Sequence, residues 1–134
     1  MMKITKAKPF LKWAGGKTQL IAEIDKNLPR EILEDKFTYV EPFIGSGAVM
    51  FWMISNFPKM EKAVINDINA DLINTYEIVR SKPHELISIL KHFQNEFHAL
   101  QTDEEKGKSI ITRKEIYTIR EILKINFKGV FILS

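Results

Sequence analysis

The chain has no cysteine. That excludes disulfides, thiol catalysis and any cysteine-based zinc or iron–sulfur site, and it fits a reducing compartment. No run of roughly 18 apolar residues exists, so no segment reads as a membrane-spanning helix. The basic start (Lys3, Lys6, Lys8, Lys12) is not followed by the apolar stretch of a secretory signal. A cytoplasmic protein with no membrane partner is the resulting expectation. Histidine is scarce: His84, His92 and His98 stand eight and six residues apart. Neither spacing puts two of them one helical turn apart, as a helix-borne metal pair requires. They read as surface residues of a helix, and no metal site is expected.

What is present suits one soluble domain. The 134 residues, 45% hydrophobic and 28% charged, are enough to bury a core. The net charge of +3 is uneven: residues 1–17 carry five lysines and no acid. Residues 41–80 are net −2 and residues 81–134 net +2. A modest basic excess suits an anionic partner without demanding one.

Periodicity gives the outline. Leu20, Ile21, Ile24 and Leu28 predict an amphipathic helix over about 18–28, with Thr18 as its cap and Pro29 as its stop. Phe37 to Glu41 reads as a buried strand ended by Pro42. Residues 46–56 read as a helix apolar nearly all round, hence buried. Ala63-Val64-Ile65 is a second strand, and Asn69 caps the helix that follows. Pro83 opens another helix. Gln101 to Ser109 is expected to be a loop, and Lys114 to about Lys124 a last helix. A third strand fits at 129–133. The order strand–turn–helix–strand–helix is a βαβ unit.

Two glycine-containing stretches invite a ligand. Gly45-Ser46-Gly47 lies between a strand and a helix, where glycines let a ligand approach the backbone and the helix offers free amides. The same pattern also makes a tight turn with no ligand. Asp67 lies 20 residues beyond Gly47. A carboxylate near that distance accepts hydrogen bonds from two ribose hydroxyls. It also serves as a helix cap shared with Asn69, and the two roles are compatible. Met50 replaces the third glycine of a dinucleotide fingerprint, which argues against a dinucleotide. Gly16-Lys17-Thr18 suggests a phosphate loop, but the required first glycine is Leu11. Trp13 beside two glycines can instead wall a ligand, with Lys17 offering a cation to a carboxylate.

These blocks carry a resemblance. Pro9-Phe10-Leu11-Lys12-Trp13-Ala14-Gly15-Gly16-Lys17, then Val40-Glu41-Pro42-Phe43-Ile44-Gly45-Ser46-Gly47, then Asn66-Asp67-Ile68-Asn69-Ala70-Asp71-Leu72-Ile73-Asn74 with Tyr76, resemble the DNA adenine methyltransferase (Dam) family in order and spacing. The resemblance implies an α/β fold, a partial Rossmann-like sheet that binds S-adenosylmethionine, with a helical C-terminal segment. Residues 1–82 would be the cofactor-binding part. Residues 83–134 would resemble the start of the family's helical DNA-recognition region, cut short. Carried over, Trp13, Gly15 and Lys17 line the methyl-donor pocket, and Phe43, Gly45 and Gly47 form the turn beneath it. Asp67 accepts the ribose hydroxyls and Ile68 flanks the adenine. Glu41 is either a ligand contact or an acid at the strand-end rim.

One departure stands against these matches. The family's Asp-Pro-Pro-Tyr motif positions the target amino group and stacks on the flipped base. The prolines here, at 9, 29, 42, 58 and 83, are never adjacent, so the motif is absent and no catalytic residue is assigned. The expectation is an N-terminal fragment of an adenine-specific N6 methyltransferase, inactive alone and weak on double-stranded DNA. The alternative is a non-catalytic S-adenosylmethionine-binding module, or one half of a split enzyme that meets its C-terminal half in trans.

Overall fold

The computed structural model describes residues 8–11, 15–108 and 131–133. A 3₁₀ turn (Lys17–Leu20) leads into helix α1 (Ile21–Asn27) and a second 3₁₀ turn (Arg30–Leu33). Strand β1 (Phe37–Glu41), helix α2 (Ala48–Asn56) and strand β2 (Met60–Ile65) follow. Helices α3 (Ala70–Ser81), α4 (Pro83–Ala99) and α5 (Asp103–Lys108) come next, then strand β3 (Phe131–Leu133). The three strands form one parallel sheet in the order β1-β2-β3. Parallel neighbours need a crossover, and α2 lies within the one between β1 and β2. Glu41 pairs with Ile65, and Ile65 with Leu133, so the strands end level. That register sets the loops after β1 and β2 side by side.

The core lies on one face of the sheet. Ala63 and Ile65 of β2 are fully buried there, with Met50, Phe51 and Met53 of α2 and Leu72, Tyr76 and Val79 of α3. The N-terminal segment adds an anchor. Phe10 is fully buried and meets Phe51 and Tyr76 edge-to-face, with ring centroids 6.1 and 5.3 Å apart. Edge-to-face pairs suit the ring quadrupoles and add to the area they bury. Alternation along β1 turns Thr38 and Val40 to the opposite face, where both are exposed.

Most expected elements appear, with instructive shifts. The bounds of β1 and the α4 start at Pro83 fall where the sequence puts them, but β1 is not the buried strand expected, since Thr38 and Val40 on one face are exposed. Asn69 does cap α3, its Oδ1 accepting from the Leu72 amide at 3.0 Å. The three histidines are exposed on α4. Three expectations fail. Thr18 caps nothing: its segment begins as a 3₁₀ turn after Gly16, with no side-chain cap. β2 begins at Met60, earlier than its apolar triplet, because pairing with Phe37 and Thr38 extends it. The stretch 101–109 is not all loop, since α5 occupies 103–108. A capping box nucleates that helix: the Glu105 amide donates to Thr102 Oγ1 at 3.1 Å, and Glu105 Oε2 accepts from the amides of Gln101 and Thr102 at 2.8 and 3.0 Å. The expected helix over 114–124 lies outside the described residues.

Candidate functional site

The site is built where β1 and β2 end. Beyond the strands the two segments stay tied: the Asn66 amide donates to the Glu41 carbonyl and the Ile44 amide to the Asn66 carbonyl, each at 2.9 Å. The chain after β1 then turns sharply through Gly45 and Gly47, at φ +52° and +76°. Only glycine holds such angles cheaply. Gly47 faces a second constraint, because an added Cβ would lie 2.6 Å from the Tyr76 hydroxyl and 3.0 Å from the Phe51 ring. Directly after it, α2 begins.

Asp67 joins this turn to the loop after β2. Its Oδ2 accepts from the Gly45 amide and its Oδ1 from the Asn69 amide, both at 3.0 Å. The Asn69 amide most of all holds this carboxyl below its ordinary value; burial opposes it, and the Gly45 amide, the Lys17 charge and the Ile68 amide add to the lowering. The group is therefore an anion at neutral pH. It is partly exposed, and each oxygen keeps a lone pair beyond the bond it makes.

Glu41 closes β1 differently. It is 5% exposed. Its Oε1 meets Lys17 Nζ at 2.9 Å and its Oε2 accepts from the Tyr39 hydroxyl at 2.7 Å. Lys17 also donates to the Phe43 carbonyl. Burial, then the bond to Glu41, push the Tyr39 phenol above its usual range, so it remains a donor. The Lys17 cation already has a carboxylate partner within the chain.

Five of the eight expected ligand residues converge. Gly15, Lys17, Phe43, Gly45 and Asp67 line one pocket of about 200 Å³, together with Gly16, Ile44, Ser46 and Ala48. Gly47 is buried and does not line it. Ile68 is 96% exposed and also outside the lining. Trp13 lies outside the described residues. A larger cavity of about 370 Å³, between Pro9, Ile21 and Trp52, shares only Ala48 with this pocket. It lacks the carboxylate and the glycine turn. Sequence reasoning left Glu41 undecided and gave Tyr76 no role beyond its place in the family resemblance. The signal for Glu41 was Tyr39 two residues away, on the same face of a strand. For Tyr76 no local signal exists, since its hydroxyl bonds the Gly45 carbonyl 31 residues back, at 3.2 Å. Among the described residues, no cluster of three or more metal-binding side chains occurs and no helix is long and apolar enough to cross a membrane.

Fold and site together define a mixed α/β protein with a small pocket, carrying one carboxylate, at the C-terminal ends of parallel strands, where open sheets of this kind take ligands. A family model for the D12 class N6 adenine-specific DNA methyltransferases matches residues 13–127. The chain belongs to that family. It is 45% identical over 111 residues to the Type II methyltransferase M.MjaIII of Methanocaldococcus jannaschii, covering 82% of this chain and 35% of that one. It is 32% identical over 131 residues to the Type II methyltransferase M1.LlaDCHI of Lactococcus lactis subsp. cremoris, covering 92% and 43%. With the DNA adenine methylase of Haemophilus influenzae it shares 48% identity over 75 residues, covering 56% and 23%. The chain thus spans less than half the length of these curated relatives.

Proposed function

We propose that this chain forms the S-adenosylmethionine-binding part of an adenine-specific DNA methyltransferase, with a partial Rossmann-like sheet. The convergence of Gly15, Lys17, Phe43, Gly45 and Asp67 on one pocket carries the reading. Family membership supports it. The donor set fits the ligand's chemistry. Asp67 is an anion with lone pairs left for a pair of ribose hydroxyls, as a vicinal diol requires. Phe43, 67% exposed in the lining, and Ile68, 96% exposed just outside it, offer apolar surface to an adenine ring. Lys17, paired with Glu41, lines the pocket wall. Gly45 lines the pocket with bare backbone, and Gly47, buried behind it, lets the chain turn against Tyr76. At about 200 Å³ the pocket holds one end of such a ligand, being below the ≈ 300–1,000 Å³ usual for a whole small molecule. The bound cofactor supplies an electrophilic methyl group on sulfur.

Within this reading the pocket residues come from residues 1–82 and helices α4 and α5 begin the DNA side, whereas the expected all-helical segment over 83–134 does not hold, because β3 (Phe131–Leu133) returns to the sheet beside β2. Double-stranded DNA is the macromolecular partner, held weakly by lysine–phosphate attraction. The sequence has no Asp-Pro-Pro-Tyr, so no residue of this chain is assigned to methyl transfer, and the chain alone binds without transferring. Calorimetric titration with S-adenosylmethionine, with ATP as control, tests the reading. Binding of the first and not the second is expected. A folded sample that binds neither, or ATP alone, would sink it.

The second reading, half of a split enzyme, draws support from the open sheet face. Val40 is 62% exposed there, whereas parallel sheets are ordinarily covered on both faces. A C-terminal family segment carrying Asp-Pro-Pro-Tyr, supplied in trans, should confer methylation of adenine in DNA. Absence of any complex between the two chains would dismiss this reading.

A further inference from the structure

Gly45 is gripped at both of its polar backbone groups. Its N–H donates to Asp67 Oδ2 at 3.0 Å and its carbonyl accepts from the Tyr76 hydroxyl at 3.2 Å. Both partners come from the segment after β2, 22 and 31 residues further along the chain. Tyr76 is fully buried, and its ring rests edge-on against Phe10, so the core fixes where its oxygen stands. That oxygen would also lie 2.6 Å from a Cβ on Gly47. A single hydroxyl thus bonds the first glycine of the turn and fills the space behind the second. Burial, with the nearby carboxylates of Glu41 and Asp67, pushes the phenol well above its ordinary range. It therefore remains a hydrogen-bond donor at any working pH.

We propose that Tyr76 is a positioning residue whose hydroxyl sets the pitch of the Gly45–Gly47 turn and so shapes the floor of the cofactor pocket. This rests on the S-adenosylmethionine reading above. Tyr76 reaches no ligand itself; it acts through the turn. Removing one neutral hydrogen bond loosens what it holds by roughly two- to tenfold.

Tyr76→Phe in the full chain keeps the ring and removes the oxygen. The expected result is a folded chain with a modestly lowered unfolding midpoint and faster hydrogen exchange, by roughly two- to tenfold, at the Gly45 and Gly47 amides. Exchange in α4 should stay constant. S-Adenosylmethionine affinity should fall by a similar factor. Gly47→Ala, made in both backgrounds, completes a cycle. The new methyl group meets the hydroxyl in the parent but not in the double variant, whose ring carries no oxygen, so Tyr76→Phe should restore part of the binding lost to Gly47→Ala. Unchanged exchange at the two amides, or the same Gly47→Ala penalty in both backgrounds, would overturn the proposal. The exchange is read without cofactor. A folded chain that binds no S-adenosylmethionine would therefore refute the cofactor reading while leaving the turn's dependence on Tyr76 open to direct measurement.

Discussion

Two carboxylates stand at the ends of neighbouring strands, and their surroundings differ in kind. Glu41 is buried, and its two oxygens are taken by the Lys17 ammonium and the Tyr39 hydroxyl. Asp67 is partly exposed, bonded among the described residues to backbone amides, and lies in the pocket wall. An acid neutralised by a cation and shut from water has little left to offer a ligand. An acid held by amides keeps its charge and turns spare lone pairs outward. The pair teaches that position at a strand end does not by itself make a ligand residue; the partners of the carboxylate decide. Glu41 holds Lys17 and the start of the turn, and Asp67 presents the polar surface.

The largest expected effect is on stability. Glu41→Ala strands Lys17 and the Tyr39 hydroxyl, and should cost about 2–3 kcal/mol, below the full cost of breaking a buried pair because Lys17 is partly solvated. Asp67→Ala should cost only about 1 kcal/mol, since water reaches the amides it leaves. Urea unfolding midpoints measure both, and the reverse order would break the comparison.

A pH titration sharpens it. The folded-state pKa of Asp67 lies below the ordinary 3.8, so its ionised form favours the folded chain. That contribution is complete above the unfolded value and is lost as pH falls from 3.8 through the depressed folded value. The acid limb of unfolding should therefore be steeper in the parent chain than in Asp67→Asn. Equal limbs would show that the amides do not hold the anion.

The smallest effect is a contrast between ion pairs. Lys36 meets Glu61 at the surface, both side chains more than half exposed. Lys36→Met should leave the urea midpoint unmoved, as exposed pairs contribute little. Lys17→Met should lower it, because it leaves buried Glu41 without its cation. Equal midpoints in the two variants would mean that Glu41 does not depend on Lys17.

Much of this was legible in the sequence wherever the determinant is local. Phe37 to Glu41 alternates and stops at proline, so β1 is readable to the residue. Asn69 and Pro83 announce their helices because a cap and a first-turn proline act within one turn. The glycine turn and Asp67 are readable because close backbone approach and spacing demand those residue types. What was not legible depends on distant partners. Met60 to Lys62 join β2 only through pairing with β1. Glu41 becomes structural only because Lys17, 24 residues earlier, reaches it. The short helix at 103–108 was readable from Thr102 and Glu105, and the polar composition of that stretch concealed it.

The central claim is that Asp67 holds the cofactor's ribose while Glu41 serves the scaffold. Titrating S-adenosylmethionine into the parent chain and Asp67→Asn, each verified as folded by its melting curve, tests it most directly. A loss of about tenfold or more in affinity, as expected for a charge-assisted hydrogen bond, is the predicted result. Equal affinity in the two folded chains would contradict the account.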